Sequence, residues 1–516
     1  MEKENLKKRD SEEVPDRIAN DKAFLGHPKA IGMGSIMALF YAFANYGSQS
    51  ILIYYLYLSA QKGGVGLPKM TAVQLIGFYA ALSSIFGIFG SYLVDRFIGL
   101  QKAIFIGFGL KAVAYTMLVI PGGGVTLYFV YFVLMLIASA CSGQNLNALM
   151  GKVYRENDSR RDSGFSLLYI ANNIGAAAPA ITGAIAAASG YHMGFLVSAL
   201  LQYASFLSYV LLRKRYVGDI GLEPVDPMPG NQGKRALTKI LSVTVALLGI
   251  LAALVATGVV SANSFMNMVS TVCIFVPIVY FIIIITSKKV TGDEAGRVKS
   301  LIPMFIGSCL TLMVWNQSTG VLAVYAEERV NLNILGIAIS PAAFQTVPAV
   351  LAIVMGSFFS FLWLKLGKHQ PNTPSKFGFG TILWGFGPLF MMIPLSLFGP
   401  EIKVNPLWLI FFYVFIIAGE ACTSPIGFSA ATYIAPAAFT SQMVNVWQLS
   451  ASTGAGLSTL AANFYVEGNE PMYFLFIGGI TVLVGLFMVV RNKKINHGMG
   501  YDNASLPEGE QAGWNS

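Results

Sequence analysis

The chain is short of charge. Asp, Glu, Lys and Arg together make up 11% of its 516 residues, where a soluble domain carries about 25%. A water-soluble fold must cover its surface with polar groups. This chain has too few, so its surface faces lipid. Cysteine is almost absent as well. Cys141, Cys273, Cys309 and Cys422 all fall inside apolar runs without metal spacing, which argues against disulfide or metal roles and leaves four small buried apolar residues. The four histidines (His27, His192, His369 and His497) sit in loops or at the ends of apolar runs. No nucleophile–base pair or metal cluster falls at membrane depth, so neither an enzyme nor a cofactor is expected. The first 29 residues are polar and charged and show no cleaved signal region.

Apolar residues are abundant, at 55%. A spanning helix needs about 20 of them in a row. Fourteen stretches qualify, at 31–59, 72–94, 103–121, 127–149, 164–188, 191–212, 237–259, 265–286, 300–325, 342–366, 377–398, 406–433, 440–465 and 472–491. With the N-terminus inside, the internal loops collect Arg96, Lys102, Lys152, Arg155, Arg160, Arg161, Arg213, Lys214, Arg215, Lys288, Lys289, Lys365, Lys376, Arg491, Lys493 and Lys494. The external loops hold mainly Lys62, Lys69, Arg329 and Lys403. This asymmetry follows the positive-inside rule with both termini in the cytoplasm. Much of the net charge of +9 is therefore topology, and no nucleic-acid partner is implied.

The layout is six spans, two and six. A cytoplasmic tail (1–29) leads into a six-helix bundle (30–213). A Pro- and Gly-rich linker (214–236) and an inserted helix pair (237–289) precede a second bundle (290–494) and a cytoplasmic tail (495–516). The fold class is an all-α membrane protein of the major facilitator type, with a substrate site expected between two six-helix halves near mid-membrane.

Three motifs narrow this. Gly90-Ser91-Tyr92-Leu93-Val94-Asp95-Arg96-Phe97-Ile98-Gly99 resembles the facilitator loop after helix two, in which an acid and a base, here Asp95 and Arg96, lock the cytoplasmic gate. An ordinary helix-end charge pair is the alternative. Gly164 to Ala176, with Asn172 and Asn173, looks like the span-five signature of the proton-dependent oligopeptide transporter family. Gly419-Glu420-Ala421-Cys422-Thr423-Ser424-Pro425-Ile426-Gly427 is similar to that family's Gly-Glu…Ser-Pro-Ile-Gly signature. The loops at Val217–Gly221 and Lys365–Lys376 match too, and the inserted helix pair is typical of bacterial members. The resemblance runs from about His27 to the last span. It implies a multi-pass transporter in a bacterial plasma membrane, acting as a monomer on short peptides or peptide-like compounds, with protons as possible co-substrates.

An ionised carboxylate at mid-membrane is costly and marks a functional site. Glu420 is the one acid placed near mid-depth, and the matching family residue holds the peptide's amino end. It is also the candidate proton carrier; a protonated structural Glu is the alternative. Asn45, Gln49, Gln144, Asn145, Asn172, Asn173, Asn316 and Gln317 also fall at membrane depth, either as helix–helix glue or lining a wet cavity. Tyr46, Tyr79, Tyr169 and Trp447 share those helices and match or neighbour pocket aromatics of the family. With Ser424, these residues make up the expected substrate site.

The chain departs from the family at its charges. The span-one Glu-x-x-Glu-Arg places hold Ala38, Tyr41 and Ala42. A peptide-carboxylate Arg is replaced by Gln49, a span-four Lys by Gly143, and a span-nine Glu by Asn316. Those last two form a salt bridge in the family. Losing one partner alone would strand a buried charge at about 3–5 kcal/mol; both are neutral here, so the pocket is refitted. The expected substrate keeps an amine and either lacks a free carboxylate or presents one that is recognised differently. Coupling is expected through Glu420 alone, or absent. Lys111, midway along span three, is an intramembrane charge that either serves the pocket or packs between helices. An uncoupled facilitator or exporter of another solute, or a non-transporting sensor, are the alternative functions.

Overall fold

The computed structural model describes residues 14–142, 145–155, 158, 160–224, 238, 261–334, 336–399, 401–466 and 468–501. The expected span at 237–259, the linker beyond 224, and Gly143 and Gln144 lie outside the described residues. Helix α1 (Asp16–Ala19) is a single turn before the long α2 (Lys29–Tyr57) and α3 (Lys69–Leu93). Then come α4 (Leu100–Val119), α5 (Gly124–Ser142), α6 (Asn145–Gly151), α7 (Arg161–Gly175), α8 (Ala178–Ser189) and α9 (Tyr191–Tyr216). The later part holds α10 (Ala262–Thr286), α11 (Gly292–Thr319), α12 (Val321–Arg329), α13 (Val347–Leu366), α14 (Thr373–Leu397), α15 (Leu407–Tyr433), α16 (Thr440–Ala461), α17 (Glu470–Val490) and α18 (Asn492–Gly498). One hairpin, β1 (Asn333–Ile334) with β2 (Ile337–Ala338), interrupts the helices.

Twelve described stretches are long and apolar enough to cross a membrane, and each coincides with an expected span. Of the other two expected spans, 237–259 is not described. The remaining one, 440–465, forms the regular helix α16, but Ser, Thr, Asn and Gln dilute its apolar character. Several of those polar groups are paired within the protein. Ser450 accepts from Ser308 at 2.8 Å, Thr453 donates to the Cys273 carbonyl at 3.2 Å, and Ser458 accepts from Gln317 at 2.9 Å. A helix in hydrocarbon tolerates such residues only when they are paired in this way.

The chain divides into two compact units. The first comprises Met1–Ala72, Leu82–Phe265 and Ala338–Thr346; the second comprises Val73–Ala81, Met266–Ile337 and Val347–Ser516. In the first, α2 is the central helix. Small residues let its neighbours approach: a Cβ at Gly175 would meet the Leu39 carbonyl at 2.5 Å, and one at Gly47 would meet Thr182 at 2.7 Å. Met33, Met37, Ile104, Phe108 and Tyr209 fill the core around it.

In the second unit, α14 packs on α17 along one side and on α15 along the other. Both contacts run through glycine. A Cβ at Gly385 would meet the Gly478 carbonyl at 2.7 Å, and the reverse substitution would meet Gly385 at 2.7 Å. On the other side, Gly419 and Gly380 stand in the same relation, at 2.7 and 2.8 Å. Lipid-embedded helices associate by van der Waals contact, and small residues bring backbones close enough to supply it. We expect Gly385→Val to destabilise the folded protein by about 1–3 kcal/mol through overpacking, read as a lowered unfolding temperature in detergent. Gly479→Ala, where an added Cβ meets nothing within 4 Å, should leave stability unchanged or slightly raised.

Candidate functional site

The expected site residues fall on both units. On the first unit, α2 carries Asn45, Tyr46 and Gln49 within about one turn of helix. Gln49 Nε2 donates to Asn45 Oδ1 at 3.2 Å. Tyr46 is exposed on the protein surface, as is Tyr169 on α7, at 60%. Asn173, one turn beyond Tyr169, donates to its carbonyl at 2.9 Å and keeps its Oδ1 available. Asn145, at the start of α6, is buried and donates to the Cys141 carbonyl at 2.7 Å. Back-bonding to the preceding turn is the local choice of a helical Asn with no partner across the helix. It leaves an amide oxygen free to accept.

Lys111 is 6% exposed. Its ammonium lies 3.2 Å from the Tyr41 hydroxyl and 4.3 Å from the centre of that ring. Tyr41 stands in one of the places vacated by the family's span-one charges. Phe108 packs on Tyr41 at 5.5 Å, and the buried Gln202 donates to the Phe108 carbonyl at 3.2 Å. No acidic residue occurs anywhere in α2, α4, α5 or α9, so the lysine is held by an aromatic face and a hydroxyl. Lys111 is thus buried against Tyr41.

On the second unit, Glu420 lies midway along α15 and is half-buried. Its carboxylate has no hydrogen-bond or ion-pair partner among the described residues. The residues around it are fixed: the Trp384 indole donates to Thr423 Oγ1 at 3.2 Å, and Trp315 meets Trp384 edge to face at 6.4 Å. Asn316, beside Trp315, donates to the Leu312 carbonyl at 2.7 Å and keeps its oxygen free. Ser424 is exposed and Tyr79 half-buried. Two expected contacts lie inside the unit. Gln317, 1% exposed, donates to Ser458 and accepts from the Tyr473 hydroxyl at 2.7 Å. Trp447 is wedged against Gly427 between Phe305 and Phe377. Both shape the unit from within.

The gate motif is also resolved. Val94–Ile98 form one π-helical turn carrying Asp95 and Arg96, with Arg96 over the Tyr92 ring at 5.9 Å. The motif's glycines have separate tasks. Gly90 lets α3 meet the backbone of α5 at Ala140. Gly99, at φ 81°, passes beneath Leu222. There Gln101 donates to the carbonyls of Gly218 and Ile220 at 2.7 and 2.8 Å. A second polar cluster matches no motif. Arg160 grips Asp158 with two hydrogen bonds, at 2.7 and 3.0 Å, and donates to the Ala19 carbonyl at 2.6 Å. His27 meets Tyr154 at 2.8 Å.

These features define a multi-pass membrane transporter. The family model of the POT family matches residues 99–476. The chain is 33% identical over 484 residues to the Uncharacterized transporter YclF of Bacillus subtilis (strain 168), covering 93% of this chain and 96% of the relative. It is 32% identical over 488 residues to a Di-/tripeptide transporter of Lactococcus lactis subsp. cremoris, covering 93% and 98%. A crystal structure of peptide transporter POT in complex with sulfate superposes with a TM-score of 0.89 at 33% identity, over 92% of this chain and 97% of the other. The chain belongs to the POT family and has its major facilitator fold.

The Arg160 guanidinium holds the Asp158 carboxyl below the ordinary carboxylate range. A depressed acid stabilises the fold above its unfolded value, about 3.9, and the contribution is lost as pH falls through the lower folded value. Asp158→Asn should cost about 1.5–3 kcal/mol at pH 7. The gap to the parent protein should close as thermal unfolding is followed from pH 5 downward.

Proposed function

We propose that the protein is a secondary active transporter of short peptides and peptide-like, amine-bearing compounds, working by alternating access. The observation that carries this is Glu420: a carboxylate without an internal partner, at mid-span, in the position where the family's signature motif has its acid. A substrate ammonium is the counter-charge that would relieve its burial cost. Asn173, Asn145 and Asn316 each keep an amide oxygen free, and Tyr46, Tyr79, Gln49, Asn45 and Ser424 complete the proposed contacts. The Lactococcus relative's name supports di- and tripeptides as the substrate class.

Proton coupling, where it operates, runs through Glu420, because the span-one cluster is uncharged in this chain. Asp95 and Arg96 act at the cytoplasmic gate. Lys111 is a packed charge that steadies α2 against α4 through Tyr41. The distribution of Lys and Arg supports cytoplasmic termini, and the bacterial relatives support a plasma-membrane location; a monomer is the proposed state.

Purified protein in liposomes should exchange labelled dipeptide by counterflow and be stabilised by dipeptides in thermal-shift assays. Glu420→Gln should weaken dipeptide binding roughly 10- to 150-fold, the loss of one charge-assisted contact of about 1.5–3 kcal/mol. Counterflow of another solute with no response to any peptide would replace the peptide reading. Unchanged gradient-driven uptake in Glu420→Gln would remove Glu420 as the proton carrier. C-terminal amidation should cost little affinity, because Gln49 and Gly143 stand where the family has cations for the carboxylate; strong loss would mean a carboxylate anchor elsewhere.

A further inference from the structure

The segment from Pro15 to Pro28 runs as a strap across the ends of the first unit's helices. Asp16 pairs with Arg155, and Arg160 donates to the carbonyls of Ala19, Asp21 and Gly26. Beneath the strap, between the start of α2 and the end of α9, lies a cavity of about 300 Å³. Three cations from three different elements line it: Arg17 of the strap, Lys29 at the head of α2 and Arg215 at the foot of α9. Among the described residues none lies within ion-pair distance of a carboxylate, although the Lys29 charge acts on Asp21. Arg215 lies over the Tyr216 ring at 5.9 Å, and the Arg17 guanidinium sits against Gly218.

The cavity also holds two acids, Asp16 and Asp21, and both are already engaged. Asp16 is held by Arg155. Asp21 accepts from the backbone amides of Ala23 at 3.0 Å and Lys29 at 2.9 Å. The positive-inside tendency explains cations at this face in general. It does not explain three cations from three elements converging on a single cavity, with no carboxylate within ion-pair distance of any of them among the described residues.

We propose that this cavity binds the phosphate of an anionic phospholipid headgroup. Its depth favours a lipid over a dissolved anion. Lys29 is the first residue of one spanning helix, and Arg215 and Tyr216 are the last of another. These ends lie where headgroups lie, and a Tyr there is an interfacial anchor. Basic pockets between spanning helices are a recurrent way of holding anionic headgroups. The site is separate from the substrate residues and independent of which solute is carried.

The test uses full-length protein purified in detergent, with bound lipid read by native mass spectrometry after exposure to mixed phosphatidylglycerol and phosphatidylcholine. The parent should retain phosphatidylglycerol preferentially. Arg17→Gln, Lys29→Gln and Arg215→Gln should each reduce retention about fivefold, as expected for one interfacial charge, and the triple variant more. The single variants serve if the triple one does not fold. Arg17→Lys should restore retention. A matched triple, Lys288→Gln, Lys289→Gln and Lys493→Gln, removes equal charge elsewhere and should retain the lipid. Equal retention in the Arg17/Lys29/Arg215 variants overturns the proposal, as does equal loss in the matched control. Inorganic phosphate stabilising the protein in thermal shift as well as phosphatidylglycerol does, with no lipid preference by mass, would make the site a soluble-anion site and overturn the lipid assignment.

Discussion

The close approach of α14 to both its neighbours is the contact on which the second unit depends. In lipid, apolar side chains gain nothing by leaving solvent for one another, so helices must gain by fit. Gly378, Gly385, Gly478 and Gly485 bring α14 and α17 to backbone contact on one side, and Gly380 and Gly419 bring α14 and α15 together on the other. The second contact has a chemical outcome. Gly419 immediately precedes Glu420, and Trp384 on α14 is locked to Thr423 on α15. The acid is therefore carried on a helix whose rotation and depth are fixed by glycine packing and one indole hydrogen bond. The helix is thus held from behind, and the Glu420 carboxylate has no partner among the described residues.

Charge placement follows the same economy. Among the described residues, the helices of the apolar layer carry an acid without a partner, Glu420, and a lysine without an acid, Lys111. They are treated differently. Lys111 is roofed by an aromatic ring in a region whose helices carry no carboxylate at all, so its charge is contained by π density and a hydroxyl. Glu420 has no such cover. The polar amides divide in the same way. Gln317 has its amide nitrogen and oxygen matched within the second unit, while Asn173 and Asn316 are only half-satisfied by their own helices. A half-satisfied amide can still take a further donor; a saturated amide is structure.

Much of this architecture was legible in the residues. Long apolar runs mark the spans because the bilayer sets their length, and twelve of the fourteen expected ones are long apolar helices among the described residues. The exception is instructive: α16 reads as a span by length and family pattern, yet its Ser, Thr and Gln are tolerable only because α10, α11 and other neighbours supply partners that no local pattern encodes. The Gly-Glu…Ser-Pro-Ile-Gly run pointed directly to Glu420. Gln317 and Trp447 share helices with the expected site residues, but sharing a helix does not tell which face a residue takes. That depends on where glycines let the neighbouring helix come close. The Arg160 cluster was invisible because, beyond Asp158, its partners are backbone carbonyls more than a hundred residues away in sequence.

That last feature has a consequence for how the protein is made. The strap before α2 leaves the ribosome first, but its docking partners, Arg155 and Arg160, follow 139 to 141 residues later, and Gly218 later still. Four spans must be threaded into the membrane before the strap has anywhere to go. Its anchors and the residues lining its cavity all lie within residues 15–218, so it can close before the helices from α10 onward have been synthesised.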